Sequence, residues 1–323
     1  MNTDDFNFFV ECAIKAPSGH NTQPWKFENT EYGIIIHPDF TRKLSIVDKE
    51  NYELYISLGC ALENVLIAAK HRGFQYILQY PNTVKGNINV KLTKDKNNNI
   101  QPDILFDYIA TRQVTKCKYN KKQISPDSLQ QLSTCFNFNE ISLLFLDGIE
   151  NFQKLIPIII EASNMQFNNR DFVNELVSWC RFSKREAIKT NDGIWSATMG
   201  MPGLGRFLGS MIMKNFVSAK SESKRLTDIL NHTQGLAIFI AENNDPISWV
   251  KTGQAFQRFG LKATMLGISH AHLNMPCEEF EVRNLLSKEL NIERKHPLLL
   301  IRYGYAEKMP YSFRRSFSDV VVT

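Results

Sequence analysis

The chain has 323 residues, 43% hydrophobic and 22% charged, enough apolar material for one large core or two modest ones. This composition excludes disordered and fibrous classes. The formal net charge of +5 is scattered over the chain rather than gathered in a basic stripe, which argues against nucleic acid as a partner. The longest uninterrupted apolar runs, such as Gly33 to Ile36 and Leu298 to Ile301, fall far short of the roughly 20 residues that a membrane span needs. Met1 to Phe8 carries acids and leads into no apolar secretion signal, so the expectation is a soluble cytoplasmic protein with no membrane partner. Cys12, Cys60, Cys117, Cys135, Cys180 and Cys277 lie far apart without a C-x-x-C pair, which points to free thiols and no metal.

In chain order, Asp4 to Lys15 has apolar residues at helical spacing and is stopped by Ala16-Pro17-Ser18-Gly19. After a polar loop, Tyr32 to His37 reads as a buried strand. Tyr52 to Arg72 reads as a long helix, with Gly73 suited to a left-handed cap. Strands are expected at Phe74 to Tyr80 and Ile88 to Thr93, then a polar turn at Asp95 to Asn99. Beyond Pro102 a helix leads to Thr111-Arg112, the expected seam between two halves. Ser125-Pro126-Asp127 opens a further helix with a capping serine and a first-turn proline. Ile141 to Leu146 and Gly235 to Ala241 read as strands. Phe152 to Ala162, Phe172 to Ile188 and Trp249 to Leu266 read as helices, and Leu298 to Tyr305 as a last strand. Asp192 to Gly209, rich in Gly, Met and Pro, lacks clean periodicity and is a candidate lid. Strands and helices mix without strict alternation, so the fold class is α+β.

The string Ala16-Pro17-Ser18-Gly19-His20-Asn21-Thr22-Gln23-Pro24-Trp25 follows a helix stop with hydroxyl and amide side chains and a tryptophan. Arg112-Gln113-Val114-Thr115-Lys116 offers two cations, and Arg314-Arg315 two more. Several converging cations suit a phosphate dianion, because charge-assisted hydrogen bonds are about twice as strong as neutral ones. Together these stretches resemble the FMN-dependent nitroreductase family, in its tandem, fused-dimer branch similar to the mycobacterial Acg proteins. The resemblance implies a nitroreductase-like fold with mixed central sheets flanked by helices. It gives Ser18, Asn21 and Gln23 the polar edge of a flavin, and gives Arg112, Lys116 and one of Arg314 and Arg315 its phosphate. Val114 stands where that family has a hydroxyl, and Thr115 follows one position later. The turn Gly267-Ile268-Ser269 is implied to bring backbone N–H groups to the flavin's reactive edge. His270 and His272 read as incidental loop histidines. Gly203-Leu204-Gly205-Arg206-Phe207-Leu208-Gly209 has the wrong spacing for a dinucleotide fingerprint.

The loop at Ser18 lies in the first half and the basic motifs in the second, so the expectation is one FMN site between 1–105 and 106–323. These are taken as degenerate copies fused as an intrachain pseudo-dimer. A weak parallel between Gly59 to Ala69 and Gly260 to Gly267 supports duplication. Function follows from the resemblance: two electrons pass from NAD(P)H to a nitroaromatic or quinone-type acceptor, with no catalytic acid or base required. The alternative is a flavin-sequestering protein whose lid covers the ring. The assembly is a monomer (pseudo-dimer) or a homodimer.

Overall fold

The computed structural model describes residues 1–97 and 99–322. Asn98, inside the expected polar turn, lies outside the described residues. The first part of the chain forms α1 (Thr3–Ala13), a hairpin of β1 (Trp25–Thr30) and β2 (Gly33–Pro38), α2 (Tyr52–His71), β3 (Phe74–Gln79) and β4 (Ile88–Lys94). The middle holds α3 (Pro126–Ser133), β5 (Ile141–Asp147), α4 (Ile149–Phe152), α5 (Leu155–Asn168), α6 (Arg170–Trp179), β6 (Cys180–Arg181), α7 (Lys184–Thr190), β7 (Ile194–Trp195), α8 (Arg206–Phe216) and α9 (Ala219–Leu230). The last part is β8 (Gly235–Ala241), α10 (Pro246–Met265), β9 (Ser269–His272), α11 (Met275–Glu278), α12 (Phe280–Glu289), β10 (His296–Gly304) and α13 (Phe317–Val320).

Two four-stranded sheets result, β1-β2-β4-β3 and β5-β8-β10-β9, so the fold is α+β as expected. Every pairing within them is antiparallel, whereas mixed sheets were expected. Among the described residues, parallel contact is confined to the short β6–β7 pair and a single bridge between Phe27 and Val321. Three other expectations need correction. The segment beyond Pro102 is a short 3₁₀ turn, Ile104–Tyr108. The helix expected over Phe172 to Ile188 is cut by β6 at Cys180–Arg181. The loop after Ser18 ends in a strand, β1, which sequence reading left unassigned.

Between the sheets, α2 and α10 cross. Helix α2 is apolar on all sides, with even Glu63 and Asn64 buried, and its length and composition would suit a membrane span; instead it forms the centre of the core. A Cβ on Gly59 would stand 2.1 Å from the carbonyl oxygen of Val250, and one on Gly253 would stand 2.0 Å from that of Ile56. The contact is reciprocal: each glycine follows, by three residues, the carbonyl that meets the opposing glycine. The partner of Gly59 across this crossing is therefore Gly253. Buried amides fix the register, with Gln257 donating to Asn64 Oδ1 (2.6 Å) and Gln254 to Glu63 Oε2 (2.8 Å). Arg258 pairs with both Glu63 and Asp103.

After β10 the chain returns to the first half. Val322 N–H donates to Phe27 O (2.9 Å), Lys26 Nζ to Asp319 O (2.7 Å), and Phe317 packs edge-on to Phe6. That return carries Arg314 and Arg315 to the loop at Ser18.

Gly253→Ala is expected to force the two helices apart at a backbone oxygen and to cost about 3 kcal/mol of stability. Gly203→Ala, where the new methyl meets only ordinary contacts, serves as the control. Urea denaturation midpoints compare them, and equal midpoints would contradict the crossing.

Candidate functional site

The loop after α1 is held in a costly conformation. His20, Asn21 and Gln23 have φ of 48°, 56° and 54°, values that non-glycine side chains adopt only when surroundings enforce them. Ser18 Oγ accepts from Gln23 N–H (2.9 Å), closing the loop on itself. Asn21 Nδ2 donates to Gly193 O and Phe313 O, and its Oδ1 accepts from Arg314 (3.0 Å). Gln23 is fully buried; its Nε2 donates to Asn191 O (2.9 Å) and its Oε1 accepts from Arg315 N–H (2.8 Å). In this structure both amides bond to the chain itself, where the resemblance gave them a flavin edge. They knit together the first half, the turn before β7 and the C-terminal return.

The turn Gly267-Ile268-Ser269 also differs from expectation. Gly267, at φ 70°, ends α10: its N–H donates to Thr264 O, and Ile268 N–H donates to Ala263 O (2.7 Å). Two of the backbone donors assigned to a flavin are therefore used to close a helix. Ser269 begins β9, opposite Gly304 of β10.

The basic residues separate into paired and unpaired groups. Arg315 lies against Asp39 and donates to the carbonyls of Gln23 and Asp319, so its charge is compensated. Arg302 stacks on Tyr119 at 3.9 Å and its NH2 donates to Cys117 O, while its NH1 is buried without an acceptor. Arg112 is buried, with NH2 donating to Lys15 O (3.0 Å), while its Nε and NH1 reach no acceptor. Arg314 Nε is likewise buried without a partner. Among the described residues, no carboxylate pairs with Arg112, Lys116 or Arg314. Arg314 senses the charge of Arg112, and Arg112 and Lys116 act on the histidines nearby. Burial, then the charge of Arg112, holds Arg314 down to about 9; burial brings Lys116 down to about 8.

Three histidines complete this region. Thr115 N–H donates to His270 O, which joins the Arg112–Lys116 stretch to β9. Burial first, and then neighbouring cations, keep His20, His270 and His272 neutral. Both ring nitrogens of His270, and Nδ1 of His20, are buried without partners. Lys116, Arg314 and His20 are half-buried and His272 is exposed. Nothing in the spacing of the histidines marks them; only the fold brings them beside Arg112 and Lys116.

A second cluster lies beside the same loop and was invisible in the sequence, because Asp48 and Glu53 stand more than two hundred positions from Asn274 and Glu278. Glu53 Oε1 accepts from Asn274 (2.5 Å) and Glu278 Oε2 accepts from Gln166 (2.6 Å), and the two carboxyls lie close enough to influence each other. Asp48 accepts from the N–H groups of Glu53 and Leu54, capping α2. Burial raises Asp48 to about 7 and pushes Glu53 and Glu278 up as well, their mutual charge adding to the rise in Glu53. Among the described residues no group of His, Cys, Asp and Glu is arranged to hold a metal ion.

No family model matches the chain. It is 23% identical to two Mycobacterium tuberculosis proteins, from strains CDC 1551 / Oshkosh and ATCC 25618 / H37Rv, that are provisionally named NAD(P)H nitroreductases. Each alignment covers 97% of this chain and 89% of the relative. Among solved structures, a provisionally named nitroreductase from Anabaena variabilis ATCC 29413 superposes with a TM-score of 0.51, at 10% identity, over 95% of this chain and 74% of that one. The FMN-dependent nitroreductase NfnB of Mycobacterium smegmatis, solved with NADPH, gives a TM-score of 0.43 at 13% identity over 67% of this chain and 96% of its own. The chain resembles the FMN-dependent nitroreductase family, and its fold is nitroreductase-like.

The carboxyl cluster sets a pH dependence. Its folded-state pKa values are raised above those of an unfolded chain, so its contribution to stability is fully present below about pH 4 and is lost as pH rises through about 7. Asp48→Asn keeps an oxygen to cap α2 and should flatten the fall in denaturation midpoint between pH 4 and 7. An unchanged slope would contradict the assignment.

Proposed function

We propose that this nitroreductase-like chain binds one FMN beside His20, Arg112, Lys116, His272 and Arg314, and acts there as a cytoplasmic NAD(P)H-dependent oxidoreductase. The observation that carries the reading is the set of buried cationic N–H groups on Arg112 and Arg314 without any carboxylate. A guanidinium so placed costs several kcal/mol unless an anion meets it. A phosphate dianion supplies acceptors for these N–H groups and charge for Lys116, so the residues present fit the phosphate end of FMN. Arg314 is the member of the basic pair that serves, because Arg315 already has Asp39.

Each residue has a distinct part. Arg112 and Arg314 would orient the phosphate through fixed, planar donors, and Lys116 would add a mobile point charge. The neutral imidazoles of His20 and His270 offer hydrogen bonds without adding charge. Ser18, Asn21 and Gln23 act at one remove, holding the strained loop and Arg314 in place. When bound, the flavin supplies two-electron chemistry between NAD(P)H and a nitroaromatic or quinone-type acceptor. The protein need only bind it, orient it and keep one face open, which agrees with the absence of a nucleophile–base pair among the residues placed here. The relatives' names favour turnover over a flavin store.

The two halves, 1–105 and 106–323, are read as degenerate copies. The reciprocal Gly59–Gly253 crossing and the paired four-stranded sheets support this. One chain then contains the equivalent of a dimer with a single site.

Two measurements test the proposal. Under anaerobic conditions, NADPH should bleach the absorbance of the FMN-loaded protein, and re-oxidation by a quinone should restore it; a band that persists would overturn the reductase reading. Arg112→Met should weaken FMN binding about 100-fold while raising the stability of the flavin-free protein, since it removes an uncompensated buried charge. A loss of both would mark Arg112 as merely structural. Affinity should also fall as pH rises above about 8, where Lys116 loses its proton in the free protein.

A further inference from the structure

The edges of the two large sheets are β1, β3, β5 and β9. The chain itself closes or shortens three of them. Val322 N–H bonds to Phe27 O on β1, and Thr115 N–H bonds to His270 O on β9. On β5, Ile141 N–H is taken by Phe138 O and Asp147 O accepts from Asn151, which shortens that edge from both ends. Strand β3 is left open over its whole length. Asp95 N–H donates to Gly73 O (2.9 Å), so the alternation of an antiparallel ladder gives the backbone groups of Gln75, Ile77 and Gln79 to β4 and turns those of Phe74, Tyr76 and Leu78 out of the sheet. Among the described residues these outward groups meet no partner.

Edge strands are ordinarily blunted by a charge, a proline or a bulge. Strand β3, Phe74-Gln75-Tyr76-Ile77-Leu78-Gln79, has no charged residue and no proline, and its register to β4 runs without a shift. Phe74, Tyr76 and Leu78 pack on the core, while Gln75, Ile77 and Gln79 are exposed, Ile77 by 69%. The exposed set reads the same in both directions about Ile77. A second copy running antiparallel with the two-fold axis at Ile77 sets that residue against its counterpart at a non-hydrogen-bonded position, where Cα atoms approach to about 4.5 Å. Gln75 then stands opposite Gln79 of the other copy, and Tyr76 and Leu78 exchange the backbone bonds that the free edge lacks. Charge does not oppose this register. Lys91, paired with Ile77 across β4, stays roughly 14 Å from its counterpart, three strand spacings away and beyond a Debye length of about 8 Å. Lys70 and Lys94 are held over the rings of Tyr76 and Phe74 on the other face.

We propose that β3 pairs with β3 of a second copy of this chain about a two-fold axis at Ile77, joining the two N-terminal sheets into one continuous antiparallel sheet. The pairing uses the same edge on both copies, so assembly stops at two. It is a different contact from the α2–α10 crossing, which is internal to each chain. A strand-to-strand contact lies at the small end of protein interfaces, which sets the dissociation constant on the order of 10 μM. Sequence reading left monomer and homodimer side by side, because it marked the strand but not its position at the rim of a sheet.

The test is sedimentation velocity of the full chain from about 1 to 200 μM, with Ile77→Lys and Ile77→Glu measured alone and as an equimolar mixture. The proposal expects a concentration-dependent dimer of the unaltered chain and at least tenfold weaker association of each variant alone, since each sets like charges face to face at the axis. The mixture should regain the dimer, because Lys then meets Glu at that position. Both variants alter one exposed side chain, and thermal melting measured alongside confirms that they fold. A chain that stays monomeric throughout the range, a dimer that either variant leaves intact, or a mixture that associates no better than its components would each overturn the proposal.

Discussion

The close crossing of α2 and α10 governs the rest of this molecule. Two helices can approach to backbone contact only where neither has a side chain, and Gly59 and Gly253 supply that absence at one point on each. Once they meet, the polar side chains one and two turns along face each other within a dry core and must pair, as Glu63, Asn64, Gln254, Gln257 and Arg258 do. The crossing in turn fixes where the two sheets lie. It sets the strand β9 that follows α10 beside the stretch at Arg112, and leaves room for the C-terminal return to reach the first half.

That return brings the site into being. The loop at Ser18 and the cations at Arg112 and Arg314 are distant in sequence, and neither half holds both. The strained loop is kept in shape by Ser18 within it and by amides that bond to distant parts of the chain. Bringing Arg112, Lys116 and Arg314 together without a carboxylate is unfavourable in isolation. A fold that tolerates it draws on stability generated elsewhere, here by a core of unusual extent around α2. The carboxyl cluster at Asp48, Glu53 and Glu278 handles the opposite sign of the same difficulty by retaining protons.

Much of the architecture was legible beforehand. The helix at Tyr52, the strand at Gly235 and the helix near Trp249 showed clearly because burial on every side leaves long apolar runs, and Gly73 and Gly267 marked helix ends because a positive φ favours glycine. Arg112, Lys116 and the Arg314–Arg315 pair were found as cations, but only packing shows that Asp39 compensates one of the pair and not the other. The amides of Asn21 and Gln23 were given to a ligand because their type suits one; in the fold they also bond to backbone carbonyls near residue 192 and to Arg314 and Arg315, which no local pattern announces. The break at Cys180 within an expected helix, and the neutral histidines beside Arg112 and Lys116, likewise depend on tertiary contacts.

The central claim is that uncompensated cations, assembled from both halves, hold the phosphate of one flavin per chain. Calorimetric titration of the flavin-free protein with FMN and, separately, with riboflavin tests it most directly. The account predicts one FMN per chain and binding of riboflavin weaker by about 100-fold or more, since riboflavin lacks the group that those cations meet. Equal affinity for the two, or two flavins per chain, would contradict it.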